Sequence, residues 1–236
     1  VDGHFNARSD ELKDLSSLER VEGNFHIMGT KLTTIPKLIY VKKNFHGSGA
    51  SQLESLPELV SCQSLELRRT KISSLPKLAE VEKSCALSGV ETLVEIPNLI
   101  EVGDFYFSGT SITSLPSLKI VRGVFSPCML TEHVPKLEEV GWLKLNKSEI
   151  KKFPSLRIIK YGCELIWTKI RNFRKAFPQL EVVDQTGGNV IEVTSRRLFR
   201  QIQGLQRKGV IKVKGEIVRS NIKMPDGLSN ILEGYQ

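Results

Sequence analysis

The chain has 236 residues, 40% of them apolar and 25% charged. It is long enough to bury a sizeable core without a disulfide or metal scaffold, and its composition excludes collagen, coiled coil and a disordered tail. No apolar run approaches the ~18 residues of a membrane-spanning helix, and Lys plus Arg (34) exceed Asp plus Glu (26), a formal net charge of +8 that admits an anionic partner.

Repetition governs most of the chain. Val1, Phe5, Ala7, Leu12 and Leu15 are apolar posts, and Val21, Phe25, Ile27, Leu32 and Ile35 repeat them at the same spacing. Later copies read Pro57, Leu59, Cys62, Leu65, Leu67, Ile72, Leu75 and Pro97, Leu99, Val102, Phe105, Phe107, Ile112, Leu115. The next copies read Pro116, Leu118, Val121, Val124, Ser126, Thr131, Val134 and Pro135, Leu137, Val140, Leu143, Leu145, Ile150, Phe153. Prolines at 36, 57, 76, 97, 116, 135 and 154 give steps of 21, 19, 21, 19, 19 and 19 residues. The longer copies carry an extra residue after the Val post, as in Val41…Phe45 against Val102…Phe105, and another in the following loop. A late copy (Ile159, Cys163, Leu165, Ile170, Phe173) and a half copy (Pro178, Leu180, Val183) end the array. The chain opens inside a rung, at Val1, which predicts a fragment or processed chain with more rungs or another domain upstream.

Phe105-Tyr106-Phe107 alternates inward, outward, inward, the periodicity of a strand. About 20 residues leave little room for an α-helix beside a strand and two turns, and each Pro disfavours helix in the residue before it. One short strand per rung stacks into a parallel sheet, each rung buried only against its neighbours.

Residues 185–236 break the period. Gln185–Asn189 reads as a linker or turn. Thr194 or Ser195 caps a predicted helix running to Lys208, with Leu198, Ile202 and Leu205 on one face and Gly209 as its stop. Val210–Val218 reads as a strand pair or a strand bent at Gly215. The expected division is therefore a repeat solenoid over 1–184, its first rung truncated, and a basic C-terminal cap over 185–236 with a helix at about 195–208 and then short strands. From 186 to 236 there are nine basic and four acidic residues, so this segment holds +5 of the +8 and the array +3.

The phrase Phe105-x-Phe107-x-x-Thr110-x-Ile112-x-x-Leu115-Pro116 resembles the leucine-rich repeat. The short period and Leu-Pro ending are similar to the repeats of bacterial secreted effectors, and Leu18…Phe25 is similar to receptor L domains. The family's ladder Asn is replaced by Thr30, Ser51, Thr70, Thr110, Ser148 and Thr168, whose hydroxyls bond neighbouring backbone with fewer donors and acceptors than an amide. The resemblance implies a right-handed α/β repeat solenoid with a parallel concave sheet, a mostly non-helical convex side and a small α+β cap. It also implies a non-enzymatic module that binds a partner protein, in the manner of a bacterial effector acting on a host protein. An alternative is the substrate-reading part of a ubiquitin ligase whose catalytic domain lies outside this chain; the Cys-x-Asp nucleophile motif of the effector ligases is missing here.

Little else in the sequence suggests chemistry. Cys62, Cys85, Cys128 and Cys163 fall in separate rungs, three of them at core posts, and read as unpaired thiols suited to a reducing compartment or an unoxidised secreted protein. No Cys-x-x-Cys motif, phosphate-binding glycine loop or nucleophile–base constellation is visible, so no cofactor is expected. Asn146-Lys147-Ser148 is a formal glycosylation sequon, of a length met by chance in most such chains.

The outward strand residues are the candidate binding surface. They stack one strand spacing apart as Asn6, His26, His46, Glu66, Ala86, Tyr106, Phe125, Lys144 and Glu164. One flank carries Asp104, Gly123 and Trp142; the other carries Arg8, Arg68, Pro127 and Asn146. Tyr106, Phe125 and Trp142 would place aromatics on consecutive rungs, the side chains that anchor protein interfaces, unless they pack on each other or under the C-terminal segment. They and Lys144 are the expected anchors, with His26, His46, Glu66 and Arg68 as polar specificity contacts. His26 and His46 lack a clear third ligand, so a polar ladder is preferred to a metal. The predicted helix contributes Arg196, Arg197 and Arg200 as candidate contacts to nucleic acid or anionic lipid, against the plainer reading of a solvated face. A monomer is expected.

Overall fold

The inward posts of one 20-residue copy cannot be buried within that copy; they are covered only when the next copy stacks in register. The structure, a computed structural model, describes residues 1–7, 12, 14–184 and 190–220. Arg8, the turn at 185–189 and the segment 221–236 lie outside the described residues. The strands are β1 (Phe5–Asn6), β2 (Arg20–Val21), β3 (Phe25–His26), β4 (Tyr40–His46), β5 (Ser61–Glu66), β6 (Glu80–Ala86), β7 (Glu101–Tyr106), β8 (Ile120–Ser126), β9 (Glu139–Lys144) and β10 (Ile158–Leu165). The short helix α1 (Phe173–Ala176), β11 (Val182–Asp184), β12 (Val190–Val193), helix α2 (Arg196–Arg207), β13 (Lys212–Lys214) and β14 (Glu216–Arg219) follow.

All these strands join one 14-stranded sheet, and each pairing is parallel. The described chain is therefore a parallel β-solenoid with few helices. The pairing continues past residue 184: β11 and β12 extend the two halves of β10, and β13 and β14 extend β11 and β12 in turn. β13 and β14 are the two halves of one bent strand, turning at Gly215, whose φ is +126°. Helix α2 starts where the Ser195 hydroxyl accepts the Leu198 N–H at 3.3 Å, an N-cap, and it buries Leu198 and Ile202.

The rungs alternate in strand length. From first to second inward post there are four steps in β4, β6, β8 and β10 (Val41–Phe45, Val81–Cys85, Val121–Phe125, Ile159–Cys163). In β5, β7 and β9 there are three (Cys62–Leu65, Val102–Phe105, Val140–Leu143). Every pairing from β4 to β10 therefore contains a register shift, the extra residue forming a bulge. Two devices accommodate it. The carbonyls of the longer strand fill the space where the shorter strand's next side chain would begin: a Cβ on Gly103 would sit 1.7 Å from the Lys83 carbonyl oxygen, and one on Gly141 would sit 2.4 Å from that of Arg122. An N–H turned out of the ladder is taken by a side chain of the preceding rung, Val124 N–H by Asp104 Oδ1 at 2.7 Å and Asn44 N–H by Asn24 Oδ1 at 3.2 Å.

This alternation corrects the reading of the copy at 116–134. Phe125 pairs with Phe105 and Ser126 with Tyr106, so Phe125 points inward and is fully buried; it is not a surface anchor. Ser126 takes its outward place, and Val124, not Gly123, stands beside Trp142. The four-step spacing belongs to this copy as it does to Val41…Phe45, and a three-step alignment shifts each residue to the wrong side.

Inside the stack, Phe25 lies between Phe5 and Phe45, with ring centroids at 5.3 and 4.8 Å. The column then passes through Leu65 and Cys85 to Phe105. The buried hydroxyls close turns locally: Thr30, Thr70 and Thr110 donate to the carbonyls of Ile27, Leu67 and Phe107 at 2.7–2.9 Å. The hydroxyl series itself needs one correction. In the longer loops the equivalent buried residues are Ala50 and Val90, and Ser51 is exposed. Thr131 joins the series instead, donating to the Ile112 carbonyl at 2.9 Å. The residue before this position is left-handed in most rungs, as glycine at 29, 49, 89 and 109 but as Arg69 (φ +58°), Lys147 (+58°) and Trp167 (+51°) elsewhere.

Two substitutions test these constraints by urea unfolding midpoints. Gly103→Ala is expected to destabilise by about 2–3 kcal/mol, because a carbonyl occupies the added methyl's place. Arg69→Gly is expected to stabilise by about 0.5–1 kcal/mol: relief of a left-handed L-residue, about 1–2 kcal/mol, outweighs the entropy of an added glycine, about 0.5–1 kcal/mol.

Candidate functional site

Parallel register turns sequence positions 20 apart into neighbours. The outward column runs Asn6, His26, His46, Glu66, Ala86, Tyr106, Ser126, Lys144 and Glu164. It carries two side-chain clusters. In the first, the His26 and His46 rings stack with centroids 4.6 Å apart, and His46 Nδ1 lies 3.2 Å from Glu66 Oε2. Arg68, two residues beyond Glu66 and past the end of β5, is exposed and lines a shallow depression of about 640 Å³ with Glu66, Met28 and Ser48. The four polar residues singled out by sequence are thus brought together. Among the described residues no group of three or more His, Cys, Asp or Glu converges as a metal site does.

The second cluster follows beyond Ala86. Lys144 Nζ sits 5.1 Å from the centre of the Trp142 ring and 3.1 Å from Glu164 Oε1, so the ammonium joins an aromatic face to a carboxylate. Asn146 Nδ2 donates to the other oxygen of Glu164 at 3.3 Å. Trp142 is partly exposed, and its indole N–H has no acceptor among the described residues. Tyr106 is half-buried two rungs away, about 10 Å along the sheet. Its phenol is held above the usual tyrosine range, first by burial and then by the Asp104 carboxylate, with the Lys144 ammonium pulling the other way. Asp104 is held in place by its bond to Val124 N–H.

Sequence reasoning missed Glu164 as the partner of Lys144, although the one-rung offset that pairs His46 with Glu66 also pairs these two. It also misplaced the middle aromatic, as the bulges explain.

The cysteines carry no site. All four are free and buried. Burial pushes the thiols of Cys62, Cys85 and Cys163 well above the ordinary cysteine range, which keeps them protonated and poorly nucleophilic. Arg196, Arg197 and Arg200 lie exposed on α2, and Arg200 shares a cleft with Arg174 of α1. Compared with protein-family models, curated proteins and solved structures, the chain has no match.

An absorbance titration of tyrosinate, with Tyr106→Phe subtracted to isolate the one phenol, checks the electrostatics. Asp104→Asn keeps the acceptor for Val124 and removes the charge, so the Tyr106 pKa is expected to fall; Lys144→Met is expected to raise it.

Proposed function

We propose that this chain is a non-enzymatic recognition module of leucine-rich-repeat type, closed by a basic C-terminal cap over 185–236, that binds a partner protein on the concave side of its sheet. Tyr106, Trp142 and Lys144 are the anchors, and His26, His46, Glu66 and Arg68 set polar specificity. The observation that carries this reading is the pair of partly exposed aromatics with a cation over one ring, on strands held by neighbours on both sides. Aromatic side chains with a polar edge are enriched where binding energy concentrates. A surface fixed before binding loses little conformational entropy on binding. The bacterial-effector setting follows from the style of the repeat.

Quantitative affinity capture tests the reading. Tyr106→Ala/Trp142→Ala is expected to weaken the specific partner at least tenfold while leaving the far-ultraviolet circular dichroism unchanged. Ile100→Ser, at an exposed position outside this column, is expected to keep the partner. An unchanged partner set with the double variant rejects this interface. Phe125→Ala is unsuitable as a probe, because emptying a buried Phe site costs about 3–5 kcal/mol of stability.

A further inference from the structure

We propose that the cleft between α1 and α2 grips the phosphodiester backbone of a nucleic-acid duplex. The cleft holds about 320 Å³ and is lined by Arg174 from α1, by Arg200, Gln201, Gly204, Leu205 and Lys208 of the α2 segment, and by Asn172. It carries three cations and no carboxylate. Arg174, Arg200 and Lys208 are exposed, and none has an ion-pair partner among the described residues. Some cations elsewhere are paired across adjacent rungs, as in Arg157 with Glu181 and Lys144 with Glu164.

The two amides are already oriented. Asn172 Oδ1 accepts the Lys175 N–H at 3.0 Å, and Gln201 Oε1 accepts the Phe173 N–H at 2.8 Å, which also ties α2 to the start of α1. With both carbonyl oxygens engaged, each NH2 group is left to donate. The polar chemistry of the cleft is thus donor-only, suited to a ligand rich in acceptors. Gly204, in the interior of α2, would have nothing within 4 Å of an added Cβ. It costs the helix about 1 kcal/mol relative to Ala and leaves the cleft open instead of serving packing.

The arrangement selects among anions. Arg197 lies one turn before Arg200 and Gln201 on the same side of α2, so the cations from Arg197 to Lys208 span about 16 Å of helix. That length fits a row of phosphates better than one. Leu198 and Ile202 are buried, and Phe199 and Leu205 pack against the core, Leu205 at the edge of the cleft, so this side of α2 offers little apolar surface for a bilayer or an amphipathic peptide. No aromatic lines the cleft to stack an unpaired base, which favours a duplex over a single strand. The sequence located Arg196, Arg197 and Arg200; the fold adds Arg174 opposite them.

Fluorescence anisotropy with a labelled random-sequence duplex tests the proposal on the full chain. Binding is expected at 50 mM salt and is expected to weaken roughly a hundredfold by 200 mM, the slope for about four neutralised phosphates. Arg174→Glu/Arg200→Glu/Lys208→Glu is expected to lose at least tenfold in affinity and to flatten the salt slope. Lys37→Glu/Lys71→Glu/Lys119→Glu makes the same charge change at exposed array positions and is expected to lose less than threefold. Gly204→Phe, which fills the cleft without changing charge, is expected to weaken binding several-fold. Any one of four results overturns the proposal: no duplex binding at 50 mM salt, equal loss from the two triple variants, tighter binding to a single strand, or binding to phosphatidylserine vesicles in preference to duplex.

Discussion

Everything in this molecule depends on keeping a parallel register. In a stacked array each inward side chain rests on its counterpart one strand away, and a slip of one residue would turn the whole inner face outward. The rungs are not equal in length, so register is preserved by moving the excess into bulges. These are tolerated because glycine at 103 and 141 leaves room for a displaced carbonyl, and because Asn24 and Asp104 reach across to N–H groups that the ladder releases. Asp104 serves the fold and the surface at once: its carboxylate stabilises a bulge and sets the electrostatic environment of Tyr106.

The posts were legible because burial of apolar side chains at fixed spacing is what makes a solenoid, and parallel stacking follows from that spacing. The phase of a single copy was less so. Val121, Val124 and Phe125 are all apolar, so hydrophobicity alone does not show which one faces inward; the four-step precedent of Val41…Phe45 does. Ser51 looked like a ladder hydroxyl for a similar reason, since the longer loop moves Ala50 into that place. His26, His46, Glu66 and Arg68 were legible as neighbours because they are spaced by whole rungs. The meeting of Arg174 with α2 was not, because it depends on a hydrogen bond from Phe173 to Gln201 between segments with no common period.

The two candidate surfaces differ in kind. The outward column mixes signs, with Lys144 ion-paired to Glu164 and His46 within hydrogen-bond reach of Glu66, so its selectivity lies in shape and in the placement of aromatic and polar groups. The cleft beside α2 has one sign and unpaired donors, so its attraction is long-ranged and sensitive to salt. One chain can therefore hold a partner by fit at one place and by charge at another, with little competition between the two.

The aromatic column through the core has a gap. Phe25, Phe45, Phe105 and Phe125 are continuous in register except where Leu65 and Cys85 stand between them. Cohesion in a solenoid is a sum over adjacent interfaces, so the Leu65–Cys85 contact of β5 with β6 and the Leu143–Cys163 contact of β9 with β10 bury less side chain in that column than its Phe–Phe contacts do. The first of these contacts lies where the outward column passes from Glu66 to Ala86, so the inner and outer faces of the sheet change character at the same pair of rungs.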